Sequence, residues 1–380
     1  MKHTLSLTAV FLFGFFNLLG QDTICLDDYN RAVQYQYENY NNKTVFNLYI
    51  QPHWFPDSTG MWYTHHSNQN KKYLKISVPD LVQTDLFDHK KLAQLLSDSL
   101  NTEIQPEDLP INTIEYISAK KLKIRAKNKA FILNTETYEL SKPSADKKKD
   151  EKQTESPDKK WTAYSKDYNL FIKSNTTNDI TQLSFSGKKG YEYATWYGWA
   201  DVMEGENGER PHHFSVTWSE DSKWISTSIC DLRMAKKMYL LDWSIDTLYR
   251  PKLLSYYRGS PGDTDMVYME PVFFNIETGK EVKPDLPRST HINSIKVLST
   301  NTPEKVILEQ TSRGYQKVKL FTFNLITEEL QNIYTETSET NLDNFTSLLA
   351  KEDDILFFLS EKSGWNQLYS LDLKTNKETA

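Results

Sequence analysis

The sequence predicts an all-β fold, namely an incomplete β-propeller with a short N-terminal helix and an inserted helix. Short strand–turn–strand units recur along the chain, and a second strand pattern returns at a nearly constant spacing. The length of 380 residues suits a large repeat architecture or two domains better than one ordinary compact domain. A generic β-sandwich is the alternative, but a sandwich does not require a constant repeat spacing.

The N-terminus reads as a secretory signal. A short basic start precedes an apolar run from Leu5 to Phe16, and the small residue Gly20 follows. We therefore expect a signal peptide over 1–20 and a mature propeller domain over 21–380, exported to the periplasm or the extracellular space. The alternative is an uncleaved membrane anchor, although the run is short for a membrane span. After cleavage no membrane span is expected.

The first recurring unit is a tight turn between two strands. An acidic residue follows proline or glutamate in each turn, and a tryptophan-containing strand comes next. Proline presets φ for the second position of a type I turn, and aspartate can accept hydrogen bonds from nearby backbone. The three turns are Pro56-Asp57, Pro157-Asp158 and Glu220-Asp221.

The second recurring unit is an aromatic or aliphatic strand that ends in asparagine or aspartate. Its copies begin at Phe131, Phe273, Phe321 and Leu368. The last three lie about 48 residues apart, a period typical of propeller blades built from four short strands. Each blade is expected to bury its faces against its neighbours.

Two helices and one charged loop interrupt the strands. The first helix is predicted from Asp27 to Tyr40, and the second from Asp85 to Leu100 with Asp85 or Asp88 as its cap. The apolar face of the second helix consists of four leucines, Leu92, Leu95, Leu96 and Leu100. The lysine-rich stretch from Lys142 to Lys160 also carries acidic residues, which favours a solvated loop between blades over an anion-binding segment.

The net charge argues against a nucleic-acid partner, and the spacing of the histidines argues against a metal site. A net charge of −6 gives no support to a nucleic-acid surface. We predict no cofactor and no metal site, because His65-His66 and His212-His213 lack the i, i+4 spacing of helical metal ligands and are expected in surface loops. The sequence leaves open whether its two cysteines, Cys25 and Cys230, are bridged.

Five stretches carry a family resemblance. They are Asp28–Ala32 with Pro52-His53-Trp54, Leu86–Ala93 with Glu107–Pro110, Ser156–Trp161, Val216–Lys223 and Ser360–Tyr369. Within the last, Gly364-Trp365-Asn366-Gln367-Leu368-Tyr369 is the most specific motif. Together these stretches resemble the dipeptidyl peptidase IV and prolyl oligopeptidase serine peptidases in their bacterial exported branch.

The resemblance implies a propeller followed by an α/β-hydrolase domain with a serine, aspartate and histidine triad. The triad serine of that fold lies in a Gly-x-Ser-x-Gly elbow, and the 380 residues contain none. Gly259-Ser260-Pro261-Gly262 reads as a turn, since proline after the serine has no N–H for an oxyanion. We therefore expect a truncated chain without catalytic residues, whose partners are a peptide substrate and the hydrolase domain. The resemblance also allows a homodimer of the full-length protein.

The resemblance further implies a site for the free amine of the substrate. In the family's dipeptidyl peptidases two adjacent glutamates on a propeller insert bind that amine. The matching region here, Tyr191–Arg210, lacks the adjacent pair. Asp201 and Glu204 lie three residues apart, so a helical turn would let both face the amine. The alternative is that these carboxylates and Glu206 decorate a surface loop.

Three functions follow from these expectations. The first is the propeller portion of an exported serine peptidase that releases dipeptides or short peptides from peptide N-termini, with this chain gating and positioning the substrate. The second is a stand-alone propeller that binds a protein or peptide partner. The third is an unrelated enzyme, which would need a nucleophile or metal constellation that the sequence does not display.

Overall fold

In a computed structural model of the chain, the structure describes residues 24–68, 70–118, 120–143, 152–197, 203–210, 213–244, 247, 249–343 and 345–380. The chain forms two compact units, Met1–Lys147 and Lys148–Ala380. Antiparallel strands dominate both, which confirms the all-β prediction. The predicted signal peptide lies outside the described residues. No helix in the described ranges is long and apolar enough to cross a membrane.

The first unit contains two blades, each a four-stranded antiparallel meander. Blade 1 consists of β1 His53–Trp54, β2 Gly60–His66, β3 Lys71–Ser77 and β4 Gln83–Asp85. Blade 2 consists of β5 Ile111–Ser118, β6 Lys121–Ala126, β7 Lys129–Asn134 and β8 Leu140–Ser141. Among its described residues this unit has three helices, α1 Leu26–Val33, α2 Tyr37–Tyr40 and α3 His89–Leu100. One apolar core joins both blades and α3.

The N-terminal helix predicted from Asp27 to Tyr40 is two short helices instead. α1 ends at Val33, and Gln36 takes extended backbone before α2 begins. No residue of either helix is buried. Both helices are too short to be stable by themselves, and burial of side chains does not stabilise them further.

The inserted helix α3 begins at His89, four residues later than Asp85, because Asp85 belongs to β4. Asp88 is the N-cap, and its side chain accepts hydrogen bonds from the backbone N–H groups of Lys90 and Lys91. The predicted apolar face is confirmed, since four leucines are buried in the core of the unit or pack against it: Leu92, Leu95, Leu96 and Leu100.

The second unit contains four blades and one hairpin among its described residues. Blade 3 consists of β9 Gln153–Glu155, β10 Trp161–Lys166, β11 Asn169–Ser174 and β12 Ile180–Gln182. Blade 4 consists of β13 Tyr191–Tyr193, β14 Val216–Trp218, β15 Trp224–Asp231, β18 Tyr268–Asn275 and β19 Glu281–Val282. The hairpin pairs β16 Lys237–Asp242 with β17 Lys252–Tyr257.

Blade 5 consists of β20 Lys296–Ser299, β21 Lys305–Thr311, β22 Lys317–Asn324 and β23 Leu330–Thr337. Blade 6 consists of β24 Thr346–Ala350, β25 Ile355–Ser360, β26 Gln367–Asp372 and β27 Lys377–Thr379. Two short 3-10 helices, His291–Asn293 and Lys351–Asp353, lie in the connections.

The turn chemistry predicted for the first recurring unit is confirmed, and the structure shows a side-chain cap in the second unit as well. In the first, Asp221 Oδ1 accepts from the hydroxyl of Ser219 at 2.6 Å and from the N–H of Lys223 at 3.1 Å. In the second, the side-chain oxygen accepts from the backbone N–H groups two and three residues later. This bond pair forms at Asn134, Asn275, Asn324 and Asp372. A repeated side-chain cap therefore ends the third strand in four blades.

The core of the second unit lies between successive blades. Side chains alternate along a strand, so adjacent residues of blade 4 face opposite neighbours. Ile225 and Phe274 pack with blade 3, whereas Trp224 and Phe273 pack with blade 5. Blade 5 repeats the arrangement, with Ile307 directed to blade 6. This alternation is what a face-to-face stack of blades requires.

Several smaller predictions change. The charged stretch predicted as a loop over Lys142–Lys160 includes strand β9, and its residues 144–151 lie outside the described ones. His65 and His66 lie half-buried in β2 rather than in a surface loop, because β2 pairs with β3 up to this end. His212 lies outside the described residues.

The two cysteines are free thiols. Cys25 is exposed, and its Sγ donates to Asp28 at 3.2 Å. Cys230 is fully buried in blade 4, and burial raises the pKa of its thiol to about 12.

Candidate functional site

Blade 4 departs from the regular meander at its first strand. β13 and β14 both pair with β15, at Ile229–Asp231 and at Ile225–Thr227 respectively. The described residues between β13 and β14 therefore lie outside the sheet, and we call them the first excursion. Ala194, with φ +56°, turns the chain out of the blade, and an isolated bridge between Thr195 and Phe214 closes the base.

A second excursion lies between β15 and β18 and contains the hairpin of β16 and β17. The two excursions meet at Glu204 and Ser255. The N–H of Glu204 donates to the carbonyl of Ser255 at 2.7 Å, and the N–H of Ser255 donates back at 3.2 Å. Glu204 thus adds one strand position beside β17, where its side chain is within reach of Lys237 of β16.

A cavity of about 790 Å³ lies at this junction. Residues of both excursions, of β13 and of the β10–β11 turn line it. Its charged lining comprises Lys189, Glu192, Glu204, Glu209, Arg210, Arg233, Lys236 and Lys237. Several tyrosines complete the wall, so the cavity combines aromatic surface with ion pairs.

Glu204 forms the first ion pair of the cavity. Its side chain is only 4% exposed, and the ammonium group of Lys237 donates to Oε2. The hydroxyl of Ser255 lies 3.5 Å from the same oxygen. The ammonium also lies 5.0 Å from the ring centre of Tyr257. The hydrogen bond with Glu204 raises the pKa of Lys237, which therefore stays charged at neutral pH.

Glu192 and Arg210 form the second ion pair. Their side chains are 5% and 8% exposed, and the Arg210 Nη2 donates to Glu192. The N–H of Gly190 donates to the other carboxylate oxygen at 3.1 Å. The guanidinium lies 5.7 Å from the ring centre of Tyr197. Its Nη1 is buried and has no hydrogen-bond partner among the described residues.

A third buried carboxylate, Asp231, lies at the end of β15, next to the lining residues Leu232 and Arg233. Asp231 accepts two hydrogen bonds from Arg233 at 2.8 Å each and one from Arg288 at 2.5 Å. Burial alone raises the pKa of Asp231, but the hydrogen bonds from both arginines outweigh it and lower the pKa to about 2. Arg233 also stacks on Tyr191, with its guanidinium 4.3 Å from the ring centre.

The structure describes two of the three carboxylates that the sequence analysis named, Glu204 and Glu206. Glu204 is buried and in extended backbone, so it lies neither on a helical turn nor on a surface loop. Asp201 lies outside the described residues. Glu206 is exposed, as the loop alternative expected. Ser260 lies in a turn, as predicted, since the N–H of Asp263 donates to its carbonyl at 3.0 Å.

Sequence reasoning missed the partners of these carboxylates. Lys237 belongs to a segment that no motif marked, and it reaches Glu204 where the two excursions pair. Arg210 is the last residue of the region Tyr191–Arg210, but nothing in the sequence identified it as the partner of Glu192. A signal existed at Glu192, a charged residue between Tyr191 and Tyr193 in a strand that is otherwise aromatic. Such a residue is rarely buried without a partner.

The arrangement can bind the polar ends of a ligand. Glu204 holds an ammonium group in a nearly dry setting, and charge-assisted hydrogen bonds of this kind are short and strong. Arg210 Nη1 is a hydrogen-bond donor that no described residue uses. Aromatic rings beside both groups supply apolar contact area.

The solved structures that are similar to this chain include the two that follow. One is dipeptidyl peptidase 4 of Porphyromonas gingivalis, with 15% identity, a TM-score of 0.48, and coverage of 93% of this chain and 48% of that one. The other is a dipeptidyl aminopeptidase IV of Bacteroides ovatus ATCC 8483, with 14% identity, a TM-score of 0.46, and coverage of 86% and 43%. The chain thus spans about half the length of either structure. No curated protein matches its sequence.

One family profile covers most of the chain. The profile of the dipeptidyl peptidase IV (DPP IV) N-terminal region matches residues 108–380. The match includes blades 2 to 6 and every described residue of the cavity. The chain belongs to the dipeptidyl peptidase IV N-terminal region family.

Proposed function

We propose that this chain is the propeller portion of an exported serine peptidase that releases dipeptides or short peptides from peptide N-termini. Its part is to admit the peptide and to hold the free amine at Glu204, with Asp201 as a second carboxylate. The hydrolytic triad belongs to an α/β-hydrolase domain, which would be its partner. Membership of the DPP IV N-terminal region family supports a peptidase-derived domain.

The observation that carries the proposal is the ion pair of Glu204. The Lys237 ammonium has the same chemistry as a protonated peptide N-terminus, and Glu204 already binds it. A peptide amine would therefore replace or join Lys237 rather than require a new kind of contact. Lys237 is 30% exposed, so it can swing outward at lower cost than a fully buried side chain.

The rest of the cavity suits the first residues of a peptide. Its volume of about 790 Å³ lies within the usual range for small-ligand sites. A peptide carbonyl would satisfy Arg210 Nη1, which lacks a partner among the described residues. Tyr239 and Tyr257 offer apolar surface for side chains.

Equilibrium binding of short peptides tests this proposal on the 380-residue chain. A fluorescent tripeptide with a free amine should bind at least about tenfold more tightly than its N-acetylated twin, which corresponds to one charged hydrogen bond. The double variant Asp201→Asn/Glu204→Gln should lose that preference. Glu206→Gln is the matched control, since Glu206 is exposed, and it should keep the preference.

Two outcomes would count against the amine site. One is equal binding of the free and acetylated peptides by the unaltered chain. The other is an equal loss of both peptides in the double variant, which would indicate general damage. Tight binding of a protein partner without amine preference would instead support a stand-alone binding propeller.

The peptidase assignment has its own test. The parent gene should encode a Gly-x-Ser-x-Gly elbow in the same reading frame beyond Ala380. The full-length product should hydrolyse an Xaa-Pro chromogenic substrate, be blocked by a serine-reactive reagent, and be found outside the cytoplasm. Hydrolysis by the 380-residue chain alone would contradict the assignment of the triad to another domain. Sedimentation of the full-length product would test the expected homodimer.

A further inference from the structure

We propose that a second cavity, between blades 4 and 5, binds a small polyvalent oxyanion of the phosphate or sulfate class. The cavity has a volume of about 300 Å³. Its walls are the connection that follows β19 and the turn between β21 and β22. It shares no lining residue with the Glu204 cavity, so this proposal stands independently of the peptide site.

The charge of this cavity is one-sided. Four cationic side chains line it, namely Arg288, Arg313, Lys317 and Lys319. No aspartate or glutamate occurs in the part of the lining that the structure describes. By contrast, the described lining of the Glu204 cavity carries three glutamates among its cations. The second cavity therefore favours anions, whereas the first presents both signs.

One of the four cations is already neutralised. Arg288 donates to Asp231 and to Glu270, at 2.5 Å in both contacts. These two carboxylates hold its guanidinium at the edge of the cavity. Arg288 therefore forms part of the cavity wall, but its positive charge is balanced by these two carboxylates.

The other three cations keep their charge. Arg313 donates to two backbone carbonyls, those of Asp263 and Ser260, which orient the guanidinium without cancelling it. Lys317 and Lys319 form no ion pair with any described residue. They alternate with the buried Val318 on β22, so both side chains leave the same face of blade 5.

Buried residues with hydroxyl and amide side chains also line the cavity. Ser289, Thr290 and Asn293 line the cavity, and each residue is less than 8% exposed. The side chain of Gln310 donates to the Ser289 Oγ at 2.9 Å, which leaves the hydroxyl hydrogen of Ser289 available. The Thr290 Oγ1 is shielded from solvent and has no partner among the described residues.

These features together distinguish a site from an ordinary basic surface. Buried polar atoms are nearly always hydrogen-bonded in folded proteins, and the Thr290 hydroxyl is a donor that no described residue uses. A tetrahedral oxyanion offers several acceptors at once, so it could accept hydrogen bonds from both the neutral donors and the flexible cations of the lining. The group could be a free ion or an ester on a sugar, because Lys317 in the cavity wall is exposed to solvent.

Isothermal titration of the 380-residue chain at constant ionic strength tests the site. Sulfate and inorganic phosphate should bind saturably with a Kd of about 1 mM or tighter, and chloride should not compete at equal concentration. Glucose 6-sulfate and glucose 6-phosphate form the second arm. Tighter binding of the esters identifies a conjugated group as the natural ligand, and tighter binding of the free ions identifies the inorganic species.

Three variants decide whether the cavity is responsible. Lys317→Gln/Lys319→Gln should weaken sulfate binding about tenfold or more, because two charge-assisted contacts are lost. Thr290→Val keeps the shape, and should weaken binding severalfold without lowering the thermal midpoint. Lys121→Gln/Lys129→Gln removes two exposed strand lysines of the first unit and should leave binding unchanged. Absence of saturable binding, or equal weakening by both lysine pairs, would overturn the proposal.

Discussion

Blades 4 and 5 of the second unit share the same turn, but only blade 4 is interrupted by excursions from its sheet. Asn275 and Asn324 cap the equivalent strand ends with identical hydrogen-bond pairs. Blade 5 then runs as an uninterrupted meander with an apolar interior. Blade 4 sends out two excursions, and the charged cavity forms where they meet. The repeated turn defines the blade, and the interruptions create the candidate site.

The difference extends to the interactions that stabilise each region. Between blades 4 and 5, outside the oxyanion cavity, a cluster of buried aliphatic and aromatic side chains holds the sheets together. Around the excursions, three buried carboxylates are each held by a cation: Glu192, Glu204 and Asp231. Apolar packing tolerates small changes, whereas a buried charge without its partner is strongly destabilising. We therefore expect the excursions to be the more sensitive region.

The largest effect should follow from breaking the Glu192–Arg210 pair. Arg210→Met leaves the Glu192 carboxylate buried and unpaired, which should lower the free energy of unfolding by about 3–5 kcal/mol. Chemical denaturation monitored by tryptophan fluorescence measures the change. The double variant Glu192→Gln/Arg210→Met should recover most of the loss, because no unpaired charge remains.

An exposed pair that links the segment before β13 to the first excursion serves as the control. Lys189 and Glu209 lie 3.1 Å apart, with side chains 60% and 65% exposed. Glu209→Gln should therefore change the free energy of unfolding by less than about 1 kcal/mol. Similar losses for Arg210→Met and Glu209→Gln would refute the claim that burial makes the first pair critical.

A smaller effect should appear on acidification. The pKa of Asp231 is lowered from 3.8 to about 2, so its contacts with Arg233 and Arg288 stabilise the fold above pH 4. That contribution, roughly 2 kcal/mol, should disappear as the pH falls from about 4 to 2. Stability curves of the unaltered chain and Asp231→Asn should converge over this interval. Parallel curves throughout would contradict the assignment to Asp231.

The smallest effect should be common to both blades. Asn275→Ala and Asn324→Ala each remove an oxygen that accepts two backbone N–H groups, and each should cost about 1 kcal/mol. Denaturation midpoints of the two variants should agree closely. A much larger loss at Asn275 would mean that its turn also supports the excursions.

The blades were predictable because their determinants are local. Asp221 and Asn324 bond to backbone two or three residues away, so the sequence displays the whole interaction. The leucine face of α3 follows from helical spacing in the same way. The predicted start of α3 at Asp85 was wrong, because it depends on pairing with a neighbouring strand. Asp85 pairs with Leu74 and extends blade 1 instead of starting the helix.

The candidate site was predictable only in outline. Glu204 could be named from its place in the chain, but its burial depends on Ser255 and Lys237. Ser255 is 51 residues away, and no local pattern indicates that the two segments pair. The role of Arg210 depends likewise on Glu192, which lies in a different element. Long-range pairing of polar segments has no periodic signature in the sequence.

The affinity of Lys237→Met for a short peptide with a free amine tests the central claim most directly. If Glu204 is an amine site that Lys237 occupies in the unliganded chain, removal of that ammonium should tighten binding about tenfold. Adding Glu204→Gln to the variant should abolish the gain, and the N-acetylated peptide should show no gain. Unchanged or weaker binding of the free-amine peptide by Lys237→Met would contradict the account.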